Sequence, residues 1–171
     1  MDPFSTLGIS ATFDVDLQAA ERAHRELSRA LHPDRYVAAG ATERRTALAR
    51  AIEVNEAWRV VRDPIRRAEA LLTLRGVRVD DAAARGELPA EFLAEMMELR
   101  EALAQARASR DLAAVRSMAA EVAARARSSE RELASGFVQG QGAPLVTTLA
   151  ELRFYGRFLD EVGAIEDDLV T

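Results

Sequence analysis

Apolar residues recur three and four positions apart along nearly the whole chain, and no alternating strand pattern survives beside them, so the sequence reads as all-α. Caps and breakers set the boundaries. Pro3 to Gly8 predicts a short helical turn. Asp16 is a good N-cap for a second helix that runs to Leu31, where His32-Pro33 ends it because a residue before proline is pushed out of the α region. A third helix is expected over about Thr42 to Arg62. A fourth opens on Asp63-Pro64, an N-cap followed by proline at the first helical position, and closes at Gly76. Gly76 to Glu87 is bracketed by glycines and lacks an apolar period, which predicts an N-terminal domain over 1–76, a linker over 77–87 and a C-terminal domain over 88–171. The last reads as three longer helices, Pro89 to Ala108, Asp111 to about Gly136 and Pro144 to about Leu169. Their short connections favour an antiparallel three-helix bundle.

The apolar lines also predict faces. On the second helix Leu17, Ala20, His24, Leu27 and Leu31 form a buried stripe, with His24 packed in it, while Arg22, Arg25 and Arg29 line the other face. The third helix offers Leu48, Ile52, Asn55, Trp58 or Arg59, and Arg62, with Asn55 as a hydrogen-bonded structural residue. The first bundle helix carries two adjacent apolar lines, Phe92-Met96-Leu99-Leu103 and Leu93-Met97, which is more than one seam needs. The surplus is deep core or a recognition patch, for which methionine is well suited. The last helix repeats the surplus, with Leu152, Tyr155, Leu159 and Val162 on one line and Phe154 and Phe158 beside it.

Composition narrows the chemistry. All 23 basic residues are Arg, Lys and Cys are absent, and Ala supplies 34 of the 171 positions against 14 for Gly and Pro together, in keeping with helix. Disulfides, thiolate metal sites, a thiol nucleophile, a phosphate-binding Lys and a Schiff-base Lys are thereby excluded. Two histidines are too few for a multi-histidine metal site, and no cofactor is expected. The start lacks a basic region followed by an apolar core, and no stretch approaches the ~20 apolar residues that span a bilayer, so a cytoplasmic protein without a membrane partner is expected. Residues 1–78 hold 13 Arg against 11 acids (+2) and residues 79–171 hold 10 against 17 (−7), the sum being the net charge of −5. With a pI near 5.2 this disfavours a nucleic-acid partner.

The second helix delivers its Arg line straight into His32-Pro33-Asp34, followed by Arg35-Tyr36. Asp2-Pro3-Phe4-Ser5-Thr6-Leu7-Gly8-Ile9 precedes this loop, and Asn55-Glu56-Ala57-Trp58-Arg59-Val60-Val61-Arg62-Asp63-Pro64 follows it. Together these segments resemble a J domain, the helical module by which DnaJ-type co-chaperones engage heat-shock-70-class ATPases. The resemblance implies an antiparallel helix pair with the loop at its tip. It further implies that His32, Pro33 and Asp34 are required for ATPase stimulation and that Arg22, Arg25 and Arg29, with Arg35, face the chaperone's acidic surface. Proline fixes φ near −65°, so the imidazole and carboxylate are held with little ordering cost, and Asp34 can accept a bidentate hydrogen bond from an Arg. An enzymatic reading of His32 as base is weak, because no nucleophile, third partner or oxyanion donor accompanies it. No residue is assigned a catalytic role.

The fourth helix, Arg67-Ala68-Glu69-Ala70-Leu71-Leu72, resembles the Arg-Ala-Glu-x-Leu-Leu segment of HscB-type J proteins, the co-chaperones of iron-sulfur cluster assembly. Total length, a J domain at the N-terminus and an acidic helical C-terminal domain agree. That resemblance implies two protein partners, a DnaK/HscA-type ATPase chaperone and an IscU-type iron-sulfur scaffold. The scaffold patch would comprise Leu93, Met97, Glu98, Glu101 and Phe158, with Ala94 and Gln105 at its margin. Ala94 is smaller, and Gln105 uncharged, where relatives can be larger or acidic. A monomer is expected. The alternative is a general J-domain co-chaperone with a different client.

Overall fold

The computed structural model describes residues 2–79 and 88–170, and the regular secondary structure among them is all helical. The expected linker falls largely on 80–87, outside the described residues. The chain divides into two compact units, Met1–Arg78 and Val79–Thr171.

In the first unit α1 spans Pro3–Leu7, α2 Leu17–Ala30, α3 Ala41–Arg62 and α4 Pro64–Leu74, with a 3-10 turn over Pro33–Tyr36. Carboxylates begin three of the four helices. Asp2 accepts from the Phe4 N–H at 3.0 Å, Asp16 from Ala19 at 2.9 Å, and Asp63 from both Ile65 and Arg66 at 2.9 and 3.1 Å. The helix pair is antiparallel: His24 of α2 meets Asn55 of α3, while Leu31, one end further on, shares a groove with Ala47 and Leu48. The core is built from Phe4, Leu7, Phe13, Ala20, Val54, Ala57, Val61, Ala68, Leu71 and Leu72. Arg67 is buried with them. Its guanidinium donates to the Val61 carbonyl at 2.7 Å and lies 4.8 Å from the centre of the Phe13 ring, tying α4 to the electronegative end of α3.

Two expected faces are rotated. Leu17 is exposed, and His24, Leu27 and Leu31 are half-buried, so Ala20 alone of the α2 line is fully inside. On α3 the buried line is Ala47, Val54, Ala57 and Val61, whereas Leu48 and Ile52 are 58% and 61% exposed and Asn55 is exposed. Because α1, α2 and α4 all pack on α3, its inner surface is the line of small and β-branched residues that lets them approach closely, not the line with the largest side chains.

In the second unit α5 spans Ala90–Ala108, α6 Leu112–Val138 and α7 Leu145–Val170, forming the expected three-helix arrangement. Met96 and Leu103 of α5, Val115, Val122, Leu133 and Phe137 of α6, and Leu149, Leu152, Tyr155, Phe158, Val162 and Ile165 of α7 fill the core. Helix α6 continues two residues past Gly136. That glycine is buried inside the helix, where a Cβ would collide with the Leu145 side chain, so its role is close approach of α6 and α7. Gly140, at φ 76°, makes the reversal. The two outer helices run parallel: Phe92 packs edge-on to Phe154 near their starts, and Arg107 pairs with Asp168 at 2.7 Å near their ends. No helix among the described residues is long and apolar enough to cross a membrane.

Candidate interaction surfaces

The first surface is the tip of the α2–α3 pair. After Leu31 closes α2, His32 takes extended backbone angles and becomes the N-cap of the 3-10 turn. Its Nδ1 accepts from the Asp34 N–H at 3.3 Å, and Pro33 occupies the first position of the turn. Asp34 Oδ2 stands 3.4 Å from the same Nδ1, and both side chains are largely exposed. The Tyr36 hydroxyl donates to the Ala30 carbonyl at 3.4 Å and closes the turn back onto α2. A fixed ring and a carboxylate are therefore presented within three residues.

Arg22, Arg25 and Arg29 are exposed along α2. Arg25 is paired with Glu21 one turn back, whereas Arg22 and Arg29, like Arg35 in the turn, make no ion pair among the described residues. Between the Arg line and α3 lies a cluster the sequence placed in the core: His24, half-buried, donates from Nε2 to Asn55 Oδ1 at 3.0 Å and stacks on Trp58 at 5.5 Å between ring centres. Its role is to join the two helices.

The second surface is the outer face of α5 with the start of α7. Leu93 is half-buried and Met97 is 65% exposed, while Ala94, Glu98, Glu101 and Gln105 are all exposed. Met96 and Leu103 face the core, Met97 faces out, and Leu93 lies between, half-buried. Phe158 requires correction: at 1% exposure it is core and offers no surface to a partner. One turn earlier, Phe154 is half-buried and clusters with Phe92, Leu93 and Val146 over Leu88 and Ala150. The guanidinium of Arg157 lies 4.6 Å from the centre of the Phe154 ring. Of the two phenylalanines, Phe154 is the one with surface on this face. Small Ala94 borders an open notch of about 570 Å³ lined by Pro89, Phe92 and the carboxylates of Glu91, Glu95 and Glu98.

Behind this face Arg125 of α6 pairs with Glu95 of α5 at 2.7 Å and with Glu121 at 2.8 Å. The hydrogen bond from Arg125 holds the Glu95 carboxyl below the usual range, and the same pairing raises Arg125. Nearby, burial and the charge of Glu132 push Glu151 up, and burial does the same to Tyr155. No cluster of three or more metal-ligating side chains occurs among the described residues.

A four-helix unit whose antiparallel pair presents His-Pro-Asp at its tip beside an arginine face is a J domain, and its union with a separate helical bundle defines a J-domain co-chaperone. Residues 88–163 match the family model described as the HSCB C-terminal oligomerisation domain. A Burkholderia multivorans protein named co-chaperone protein HscB homolog is 34% identical over 168 residues, covering 98% of this chain and 95% of the relative. Its Ralstonia nicotianae namesake is 40% identical over 81% of this chain and 78% of its own. Among solved structures, chaperone HscB from Vibrio cholerae superposes with a TM-score of 0.88 at 30% identity over 99% of both chains. Human co-chaperone protein HscB gives 0.88 at 25% identity, over 96% of this chain and 81% of the human one. The chain belongs to the HscB co-chaperone family. The bundle family's description names oligomerisation, a property the expectation of a monomer did not include.

Proposed function

We propose that this protein is a cytoplasmic, non-enzymatic co-chaperone of iron-sulfur protein maturation that binds an IscU-type scaffold on its bundle and delivers it to a DnaK/HscA-type chaperone, whose ATPase it stimulates through the His32-Pro33-Asp34 turn. The observation that carries the reading is the coexistence of two exposed, chemically distinct surfaces, one in each compact unit. The tip offers cations and a capped turn to an acidic ATPase surface. The α5 face offers Leu93, Met97 and Phe154 ringed by Glu98 and Glu101 to an apolar and basic partner. Ala94 and Gln105 form its margin. Carrying both on one chain raises the effective concentration of scaffold at the chaperone. Hydrolysis occurs in the chaperone, so the stimulation is an allosteric coupling.

The test is calorimetric titration of an IscU-type scaffold into the full chain and into Leu93→Ala/Met97→Ala and Phe154→Ala variants. Wild type binds and the variants bind at least about tenfold more weakly, a loss of about 1.4 kcal/mol. Equal affinity in folded variants places the scaffold elsewhere.

A further inference from the structure

Resting on that reading of the tip, we infer that the ATPase chaperone also occupies an apolar groove beside the turn, inserting a leucine- or isoleucine-sized side chain carried on an acidic segment. The groove has a volume of about 260 Å³ and is lined by Leu31 from the end of α2, Pro33 and Tyr36 from the 3-10 turn, and Ala47, Leu48 and Ala51 from α3. Two alanines one turn apart leave the space open, because a larger residue at either position would fill it. One wall is the same four-residue turn that begins next to His32 and contains Asp34, so a partner held by those two residues stands beside the groove.

The surroundings are apolar beyond what a solvated helix pair needs. Leu48 and Ile52 stand exposed one turn apart on α3, and Val37, 71% exposed, directly follows Tyr36. These are three of the seven large exposed hydrophobic residues among the described ones, gathered at one end of the first unit. An apolar lining selects an aliphatic side chain. Charge selects the segment that carries it: Arg44 is the one charged residue in the lining. Arg35 and Arg45 stand next in sequence to lining residues, and none of the three has an ion-pair partner among the described residues. Docking removes water from these guanidiniums, which favours carboxylates flanking the inserted side chain.

The experiment uses the full chain and a full-length DnaK-type chaperone, reading steady-state ATPase against co-chaperone concentration. Ala51→Leu fills the groove with a residue that favours helix, and Leu48→Ser removes one exposed wall, leaving His32, Pro33 and Asp34 untouched. The expected result is a rise of about tenfold in the half-saturating concentration for each variant with maximal stimulation retained, and shifts of the wild-type Leu48 and Ile52 methyl resonances on adding chaperone. Two folded variants that titrate like wild type overturn the inference while wild-type stimulation and its loss in His32→Gln keep the reading of the tip. Absence of stimulation by wild type itself removes both. A self-associated species in sedimentation that Ala51→Leu dissolves also overturns it, by making a second copy the occupant.

Discussion

The two candidate surfaces are built in opposite ways. At the tip, a few exposed atoms are set by their own backbone: Nδ1 of His32 caps the turn and Pro33 fixes it. On α5, exposed side chains alternate with core side chains on one regular helix, so that Met97 faces out and its neighbour Met96 faces in. The comparison teaches where stability and function separate. Substitutions at the tip alter what is presented without disturbing a core, whereas on α5 and α7 a shift of one to four positions exchanges a partner contact for a packing residue.

The largest effect that could break this contrast is at the tip. His32→Gln and Asp34→Asn are expected to abolish stimulation of a DnaK-type ATPase while melting within 2 °C of wild type, roughly what a surface change of about 0.5 kcal/mol allows. A variant that loses stimulation by unfolding makes the tip structural instead. Next comes the pair of phenylalanines on α7. Phe158→Ala should cost about 3–5 kcal/mol in urea unfolding of the chain, as core truncations do, against about 1 kcal/mol for half-buried Phe154→Ala. Similar costs for the two would erase the distinction drawn between core and face.

Smaller effects sharpen it. Arg22→Ala/Arg29→Ala should weaken chaperone association several-fold at low ionic strength and much less at high salt, since exposed cations steer more than they hold. A salt-independent loss would mean that these residues pack rather than steer. The smallest is a matter of pH. Glu151 in the folded chain binds its proton more tightly than in the unfolded chain, so the associated stability is present below the ordinary value of 4.5 and is lost as pH rises through the folded value. Glu151→Gln should therefore raise stability at pH 7 by less than about 1 kcal/mol, with the gain vanishing below pH 4. A gain that persists in acid would trace to packing.

Much of the tip was legible in sequence because its signal is local: a helix stop, a proline and a turn-forming Asp in consecutive positions, with an arginine line leading in. The helices themselves followed from caps, and six of the seven α-helices among the described residues start on or directly after an Asp or Pro at the expected place. The faces were less legible. Whether Leu48 and Ile52 or Val54 and Val61 lie inside α3 depends on α1, α2 and α4 sharing it, which no periodicity reports. Phe154 and Phe158 stand four apart on one helix side, and only the position of Phe92 on α5 tells which of them is left at the surface. Gly136 looked like a helix end and is a contact point, because the closeness of α6 and α7 there is a property of two helices at once.

The coupling of two independent surfaces on one chain is tested by the steady-state ATPase of a DnaK-type chaperone with and without an IscU-type scaffold. Wild type should stimulate alone and more strongly with scaffold. His32→Gln should stimulate in neither case, and Leu93→Ala/Met97→Ala should match wild type alone but gain nothing from scaffold. Stimulation by folded His32→Gln equal to wild type, or a full scaffold response in the Leu93/Met97 variant, would contradict it.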